Sequence, residues 1–262
     1  MNSQNRALCR QRTPIVVSSP ALPMRSPYGL EIIENCLNCK MRAEGFFCDL
    51  PVEVLRAFDA IKYASVYPKD AQLFVEGQSP RGILVLCEGR AKLSTCSSEG
   101  KTLILGVAKP GDVLGLSATV SGQPYEVTAE TLEPCQVNFV KREDFLRFLQ
   151  EHGQACLRVA QHLSHYYHTA YEQIRSLGLS QSAMEKLAKL LLQWCAESGK
   201  ETERGCCVKL ALTQEEIAQM IGTSRETVTR LFTELKRKQI IQLKGSTLVI
   251  RNKTGLQTLV GP

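Results

Sequence analysis

LTQEEIAQMIGTSRETVTRLFTELKRK, residues Leu212 to Lys238, encodes two short helices and the turn between them. Thr213 stands three residues before Glu216, the spacing of a capping box in which hydroxyl and carboxylate each satisfy a backbone amide. Leu212 before the cap and Ile217 after it are placed to form a hydrophobic staple. Gly222 closes the first helix, because glycine takes the left-handed conformation of a helix end without strain. A second T-x-x-E, Thr223 to Glu226, starts the next helix at once. Its apolar residues Val228, Leu231, Phe232 and Leu235 recur at i, i+3, i+4 and i+7. Glu226, Thr229, Arg230 and Thr233 therefore share the outer face, with Arg225 beside them. A plain helical hairpin with a charged face would need neither two capping boxes nor the glycine turn. The pattern is a helix-turn-helix whose second helix enters a DNA major groove. QIIQLK and STLVI follow, meeting at Gly245-Ser246, which adds a hairpin wing.

A chain of 262 residues is long enough for two domains with separate cores. No apolar run is long enough to span a bilayer, and the basic first residues lack the apolar core and cleavage site of an export signal. A cytoplasmic protein with no membrane partner is expected. From Val208 onward nine Lys/Arg stand against four Asp/Glu, 9 − 4 = +5 of the chain's total of +6. Positive charge gathered around the helix-turn-helix suits a phosphate-contacting surface. No Walker loop, H-E-x-x-H, G-x-G-x-x-G or Ser/His/Asp arrangement stands in a fitting context, so an enzyme is not expected.

Eleven cysteines in a chain of this size point to thiols, metal or redox chemistry rather than to a disulfide framework. Cys36, Cys39 and Cys48 are spaced C-x2-C-x8-C. A C-x2-C pair brings two thiolates to one metal, and Cys48 is near enough to wrap back as a third ligand. Iron–sulfur, structural zinc and incidental thiols all fit the spacing. Cys9 lies in a proline-broken arm (Pro14, Pro20, Pro23, Pro27), Cys87 and Cys96 read as core or surface thiols, and Cys206-Cys207 alternate on a strand.

Between residues 50 and 140 short β-rich runs are cut at Gly77, Gly89, Gly100, Gly111 and Gly122, as in an antiparallel sandwich or barrel. From 155 to 177 Cys156, Val159, Leu163, Tyr166, Ala170, Gln173 and Leu177 alternate gaps of three and four. That is a heptad seam for a second copy of the helix, with packing on its own domain as the competing use. His162, His165 and His168 step along this helix, with His152 just before it. Residues 178–182 read as a hinge. Leu187, Leu190, Leu191 and Trp194 form the buried face of the next helix.

SRETVTRL, residues 224–231, resembles the recognition helix of the CRP/FNR family of transcription regulators, and weaker similarity extends back to Cys36. The resemblance implies a β-roll of the cyclic-nucleotide-binding type, a dimerisation helix and a winged helix-turn-helix. In the FNR branch an N-terminal cysteine set completed by one late cysteine binds a [4Fe-4S] cluster, and Cys135 stands where that late cysteine falls. The eight residues between Cys39 and Cys48 exceed the gap in enterobacterial members. Tyr125-Glu126 occupies the place of the arginine that neutralises a cyclic-nucleotide phosphate, which argues against cAMP. By the same resemblance Glu226 and Arg230 read the C·G and G·C pairs of a TGA-type half-site, and Arg225 an outer guanine. Thr229 matches the FNR branch's small hydroxyl residue, so TGTGA-like and TTGA-like half-sites both stay open. RNA polymerase is an implied partner.

The expected fold is α+β: a flexible arm over 1–30, a cysteine segment and β-roll jelly roll over 31–150, a long dimerisation helix over 151–178 and a winged helix-turn-helix over 179–262. The expected function is a homodimeric transcription regulator on near-palindromic double-stranded DNA, gated by a [4Fe-4S] cluster on Cys36, Cys39, Cys48 and Cys135. Oxygen, nitric oxide or redox state would be the signal. Thr213, Ser224, Arg225, Glu226, Thr229 and Arg230 form the DNA-contacting set. Structural zinc or a small effector in the β-roll is the alternative, and an effector-binding module without DNA the remote one.

Overall fold

The computed structural model describes residues 28–30, 32, 35–42, 45–179 and 182–260, apart from the side chains of Gln173, Ser176, Leu177 and Leu179. The proline-rich arm with Cys9 lies outside these residues except at its end, as do Gln173 and Leu177 of the proposed seam and two residues of the proposed hinge.

A short 3-10 turn at Cys36–Asn38, capped by the Asn35 side chain, precedes helix α1 (Val52–Ile61). Then come β1 (Lys62–Tyr67), β2 (Gln72–Phe74), β3 (Gly82–Glu88), β4 (Ala91–Cys96), β5 (Thr102–Ala108), β6 (Val113–Leu114), α2 (Leu116–Ser121), β7 (Thr128–Thr131) and β8 (Cys135–Lys141). They form two antiparallel four-stranded sheets, ordered β1-β8-β3-β6 and β2-β7-β4-β5. Alternation along β3 divides its side chains between two cores. Leu84 and Leu86 join Phe74, Tyr125 and Val137 between the sheets. Ile83 and Val85 face outward, against Phe47, Phe58, Phe145 and Phe148. The outer core is closed by α1, by α3 (Arg142–Glu151) and by the start of the long helix α4 (Gly153–Leu179).

Of the seam expected on α4, Cys156 and Tyr166 are exposed and two apolar members are turned inward. Val159 is buried and Leu163 half-buried against their own domain's core, next to the buried Ala155. The exposed stripe runs one residue later, through Leu157, Ala160, Ser164, Tyr167, Tyr171 and Ile174. It keeps the alternating gaps of three and four, and four of its side chains are large, apolar and 55–67 % exposed.

The C-terminal unit comprises α5 (Ala183–Ser198), β9 (Lys200–Thr202), β10 (Gly205–Lys209), α6 (Gln214–Ile221), α7 (Arg225–Arg237), β11 (Ile241–Lys244), β12 (Thr247–Ile250) and α8 (Lys253–Gln257). Its sheet is ordered β11-β12-β10-β9, so the expected wing hairpin pairs with a second hairpin from before the helix-turn-helix. Leu187, Leu191, Ile217, Val228, Phe232, Leu235 and Leu248 fill the core. Each such side chain contributes about 1.5–3 kcal/mol on burial. Leu132 and Val107 of the β-roll pack into the same core, so the two units share an interface. No described helix is long and apolar enough to cross a membrane.

Candidate functional site

Two groups of residues carry chemistry, one on α7 and one beneath the cysteine segment. On α6 the capping box forms as the spacing requires: Thr213 Oγ1 accepts from Glu216 N at 3.2 Å, and Glu216 Oε2 accepts from Thr213 N at 2.9 Å. Gly222 ends α6 at φ 66°. The second box does not form. Ser224, one residue beyond Thr223, caps α7 by accepting from Thr227 N at 3.3 Å. The local reason is length: a cap at Ser224 makes the turn between the helices one residue longer.

Val228, Leu231, Phe232 and Leu235 of α7 are buried, which leaves Arg225, Glu226, Thr229, Arg230 and Thr233 exposed on the opposite face. Two guanidiniums and a carboxylate on one exposed face can contact phosphates and base edges. The Glu226 carboxyl is held below its ordinary value by backbone and Ser224 hydrogen bonds and by Arg225. Thr229 Oγ1 lies 2.6 Å from Gln214 Oε1 and 3.0 Å from the Arg225 carbonyl. Its single proton serves one of them at a time. Lys236 and Arg237 sit at the C-terminal end of α7, where cations are favoured by the helix dipole.

The cysteine segment packs on the outward face of β3. Cys36, Cys39 and Cys48 line one apolar cavity together with Cys87 from β3, Met41, Phe47, Phe58 and Asn138. Arg42 organises the loop by donating to the Cys48 carbonyl and, at 2.9 Å, to that of Leu50. Gly45 is required by close approach, since a Cβ there would collide with the Cys48 sulfur. The Met41 amide donates to Cys39 Sγ at 3.4 Å, and Asn138 Nδ2 to Cys36 Sγ at 3.8 Å. Burial pushes the Cys48 thiol up to about 11 and the Cys87 thiol to about 12, and the neighbouring cysteines add to both. Burial raises Cys36 as well. These groups are neutral thiols at pH 7 unless a metal displaces their protons.

The donor set suits a thiolate-ligated centre. The cavity these thiols line holds about 20 Å³, room for about one water molecule. Among the described residues no three of these sulfurs lie within 4.8 Å of one another. Four sulfurs at ~2.3 Å from one zinc would stand only about 3.8 Å apart, so the present spacing is too wide for a formed zinc site. Asn138 Oδ1 is buried and lacks a hydrogen-bond partner, a state that costs about 1–3 kcal/mol.

Cys135 is not with the other three expected ligands. It is buried among Leu84, Leu86 and Val137 between the two sheets, while Asn138 of the same strand faces the cavity. Its Sγ donates towards the carbonyls of Glu133 at 3.2 Å and Arg90 at 3.4 Å. Cys87, read from sequence as a core or surface thiol, stands in its place at the cavity wall. The available signal was parity with Ile83 and Val85. Cys96 is exposed beside the Thr102 hydroxyl. Cys195 and Cys206 are disulfide-bonded, a single bridge where no disulfide framework was expected, and Cys207 points the other way along β10. Glu201 lies near that pair, but both of its sulfurs are already spent on each other.

The loop carrying Cys48 also grips α4. The Phe46 ring packs on the His162 imidazole with centroids 4.4 Å apart. Asp49 Oδ2 lies 2.6 Å from Arg158 Nη2. Burial lowers the His162 pKa, Asp112 opposes that shift and His165 adds to it. Between the sheets, Tyr125 stacks on Phe74 at 4.1 Å and its hydroxyl donates to the Gly82 carbonyl at 3.0 Å. Glu126 accepts from the Ser117 hydroxyl at 2.6 Å.

Two family profiles match separate stretches of the chain. The family profile described as "Crp-like helix-turn-helix domain" matches residues 185–259, and that described as "Cyclic nucleotide-binding domain" matches 64–152. The chain is 33 % identical over 174 residues to the transcriptional activatory protein AadR of Rhodopseudomonas palustris, covering 66 % of this chain and 71 % of that one. It is 27 % identical over 224 residues to the nitrogen fixation regulation protein FixK of Bradyrhizobium diazoefficiens, covering 86 % and 91 %. The structure of FixK2 from Bradyrhizobium japonicum superposes with a TM-score of 0.69 at 23 % identity, covering 77 % of this chain and 98 % of that one.

Proposed function

The chain belongs to the CRP/FNR family of DNA-binding transcription regulators, and we propose that it acts as a homodimer whose hold on DNA is set by a metal centre in the cysteine segment. The observation that carries this reading is the double role of one loop. Cys48 faces the thiol cavity while its neighbours Phe46 and Asp49 hold His162 and Arg158 of α4. Ligation of Cys36, Cys39 and Cys48 fixes that loop. The loop in turn fixes α4, and α4 offers Leu157, Tyr167, Tyr171 and Ile174 to a second copy. Two recognition helices then reach successive major grooves of a near-palindrome in the cytoplasm.

An iron–sulfur cluster held there would supply a group that oxygen or nitric oxide destroys. Residues of this chain do the remainder. Glu226 accepts from cytosine, Arg230 forks to guanine in a TGA-type half-site, and Arg225 reaches an outer guanine or a phosphate. RNA polymerase contact follows from the family. Cyclic nucleotide forms no part of this reading, because Tyr125 fills the space between the sheets and Glu126 puts a carboxylate at its edge.

The test is protein purified without oxygen, assayed for iron, sulfide, zinc, sedimentation and DNA binding before and after air. The expected result is iron and sulfide bound, a visible band that bleaches in air, and dimer and DNA affinity lost together. DNA binding unchanged by air, or zinc in place of iron, would remove the cluster as gate and leave the DNA-binding regulator.

A further inference from the structure

Resting on the reading that the cysteine segment holds a metal centre, we propose that the fourth protein ligand is Cys87 of β3 and not Cys135. Four observations carry this. Cys36, Cys39, Cys48 and Cys87 line one cavity, and Cys135 does not. The pairing of β3 with β8 slips at this point: Leu86 opposes Val137 and Glu88 opposes Gln136, so Cys87 is the extra residue of a β-bulge. A bulge re-aims a side chain and interrupts pairing, and such irregularities gather at functional sites. Third, the Asn138 side chain lies at the cavity wall, its amide nitrogen towards Cys36 Sγ and its oxygen buried without a partner. The amide donor is what suits a thiolate at Cys36, since a thiolate accepts hydrogen bonds. Fourth, the Cys135 thiol points at two carbonyls in the core between the sheets, whereas the Cys87 thiol, 3.6 Å from the Val85 carbonyl of its own strand, lies at the cavity wall. Reaching the cavity would mean passing through the β1-β8-β3-β6 sheet.

The arrangement also determines what the centre would hold together. Leu86 exchanges backbone hydrogen bonds with Asp112 and Gly111, and the Gly111 carbonyl accepts from Phe46 N. Ligation by Cys87 therefore ties the N-terminal segment to the middle of a sheet through residues next to the α4 clasp. Each thiol entering the site as thiolate releases one proton, and no electron transfer is needed for ligation itself.

The experiment compares the full-length wild type with Cys87→Ser, Cys87→Ala and Cys135→Ser, purified without oxygen, by iron and sulfide per chain. Metal-free samples of each are titrated with cobalt(II), whose sulfur-to-metal band reports the number of thiolates bound. The inference expects Cys135→Ser to match the wild type. Both Cys87 variants should lose most of their iron and show a three-thiolate band, with circular dichroism unchanged. Cys87 variants that load fully while Cys135→Ser does not would overturn it. Wild type that takes up neither iron nor cobalt would instead remove the metal-centre reading on which it rests. A Cys87→Ser protein that fails to fold shifts the decision to Cys87→Ala and the Cys135 arm.

Discussion

At the level of single residues, the recognition face makes a graded set of expectations. Arg230 is exposed on α7, and the guanine contact proposed for it, as a good bidentate pair, would discriminate by about 1–3 kcal/mol. Arg230→Ala is therefore expected to lower affinity for a TGA-type site by roughly 10- to 100-fold and to relax preference at one base pair. Thr229 is different, because its hydroxyl is already committed to Gln214 or to the Arg225 carbonyl. Thr229→Val keeps the outward methyl and should change affinity by only about threefold or less, well below the cost of a lost bidentate contact. Fluorescence anisotropy on a short duplex measures both. Equal losses for the two variants would contradict this ranking. The residues of this face were legible because helical period and capping are local. Their one error was also local: Thr223 and Ser224 are both good caps, and choosing between them depends on the length of the turn. Cys87 was illegible for the opposite reason. The cysteines that share its cavity lie 39 to 51 residues earlier in the sequence, and strand parity says which face it is on but not what covers that face.

Elements bring in packing that a periodic pattern cannot assign. On α4 two overlapping heptad frames are available, and the β-roll takes the one through Val159 and Leu163. The frame left open carries Leu157, Tyr167, Tyr171 and Ile174. Ile174→Glu puts two charges across the seam of a twofold dimer. It should shift sedimentation to the monomer at micromolar concentration and weaken DNA binding at least tenfold. The same change at Val159 should instead lower the melting temperature, since that side chain belongs to the protomer's own core. If Ile174→Glu remained dimeric, the exposed stripe would not be the interface. The clasp on α4 carries a pH dependence of determined sign. The folded-state pKa of His162 lies below its ordinary 6.5. The unfolded or undocked chain therefore takes up the proton first. The contribution of neutral His162 is complete above about pH 6.5 and declines as pH falls towards the folded value. Hydrogen exchange of the amides at 45–50, corrected for intrinsic rates, should speed up from pH 7.5 to pH 5.5 in the wild type. His162→Phe should show no such change. Equal protection at both pH values in the wild type would show that this imidazole does not govern the loop.

Over the whole molecule, what the pattern of elements left undetermined is how the DNA-binding unit sits on the β-roll. Length and period led to the expectation of two units with separate cores, but the side chains that join them are scattered and Leu132 of the β-roll is buried in the core of the other unit. Lys92 of β4 is the central one. Its Nζ lies 2.8 Å from Glu130 of β7 and 3.0 Å from Glu216 of α6, with all three side chains at 17–25 % exposure. Glu216 thus does two jobs, capping α6 through Thr213 and pairing with the β-roll. Burial works against its charge, yet the Thr213 and Lys92 hydrogen bonds hold its pKa below the ordinary carboxylate value of 4.5. A depressed carboxylate stabilises above its unfolded pKa and loses that contribution as pH falls through the folded one. The interdomain contact is therefore unaffected near neutrality and weakens only in acid, as pH falls from 4.5 through the folded value of Glu216. Substituting Glu216 would confound the cap with the interface, so Lys92→Ala is the cleaner probe. It leaves two carboxylates facing each other across a partly dry gap. The expected cost is about 1–2 kcal/mol of docking energy, between surface and buried pairs, or roughly a 5- to 30-fold rise in the undocked population. Limited proteolysis in the 179–183 connection should quicken by that factor, while the melting of each unit moves little. Adding Glu130→Gln should recover part of the loss by removing the repulsion. Proteolysis at the wild-type rate in Lys92→Ala would mean that Leu132 and Val107, packed into the DNA-binding core, hold the two units together without the charges.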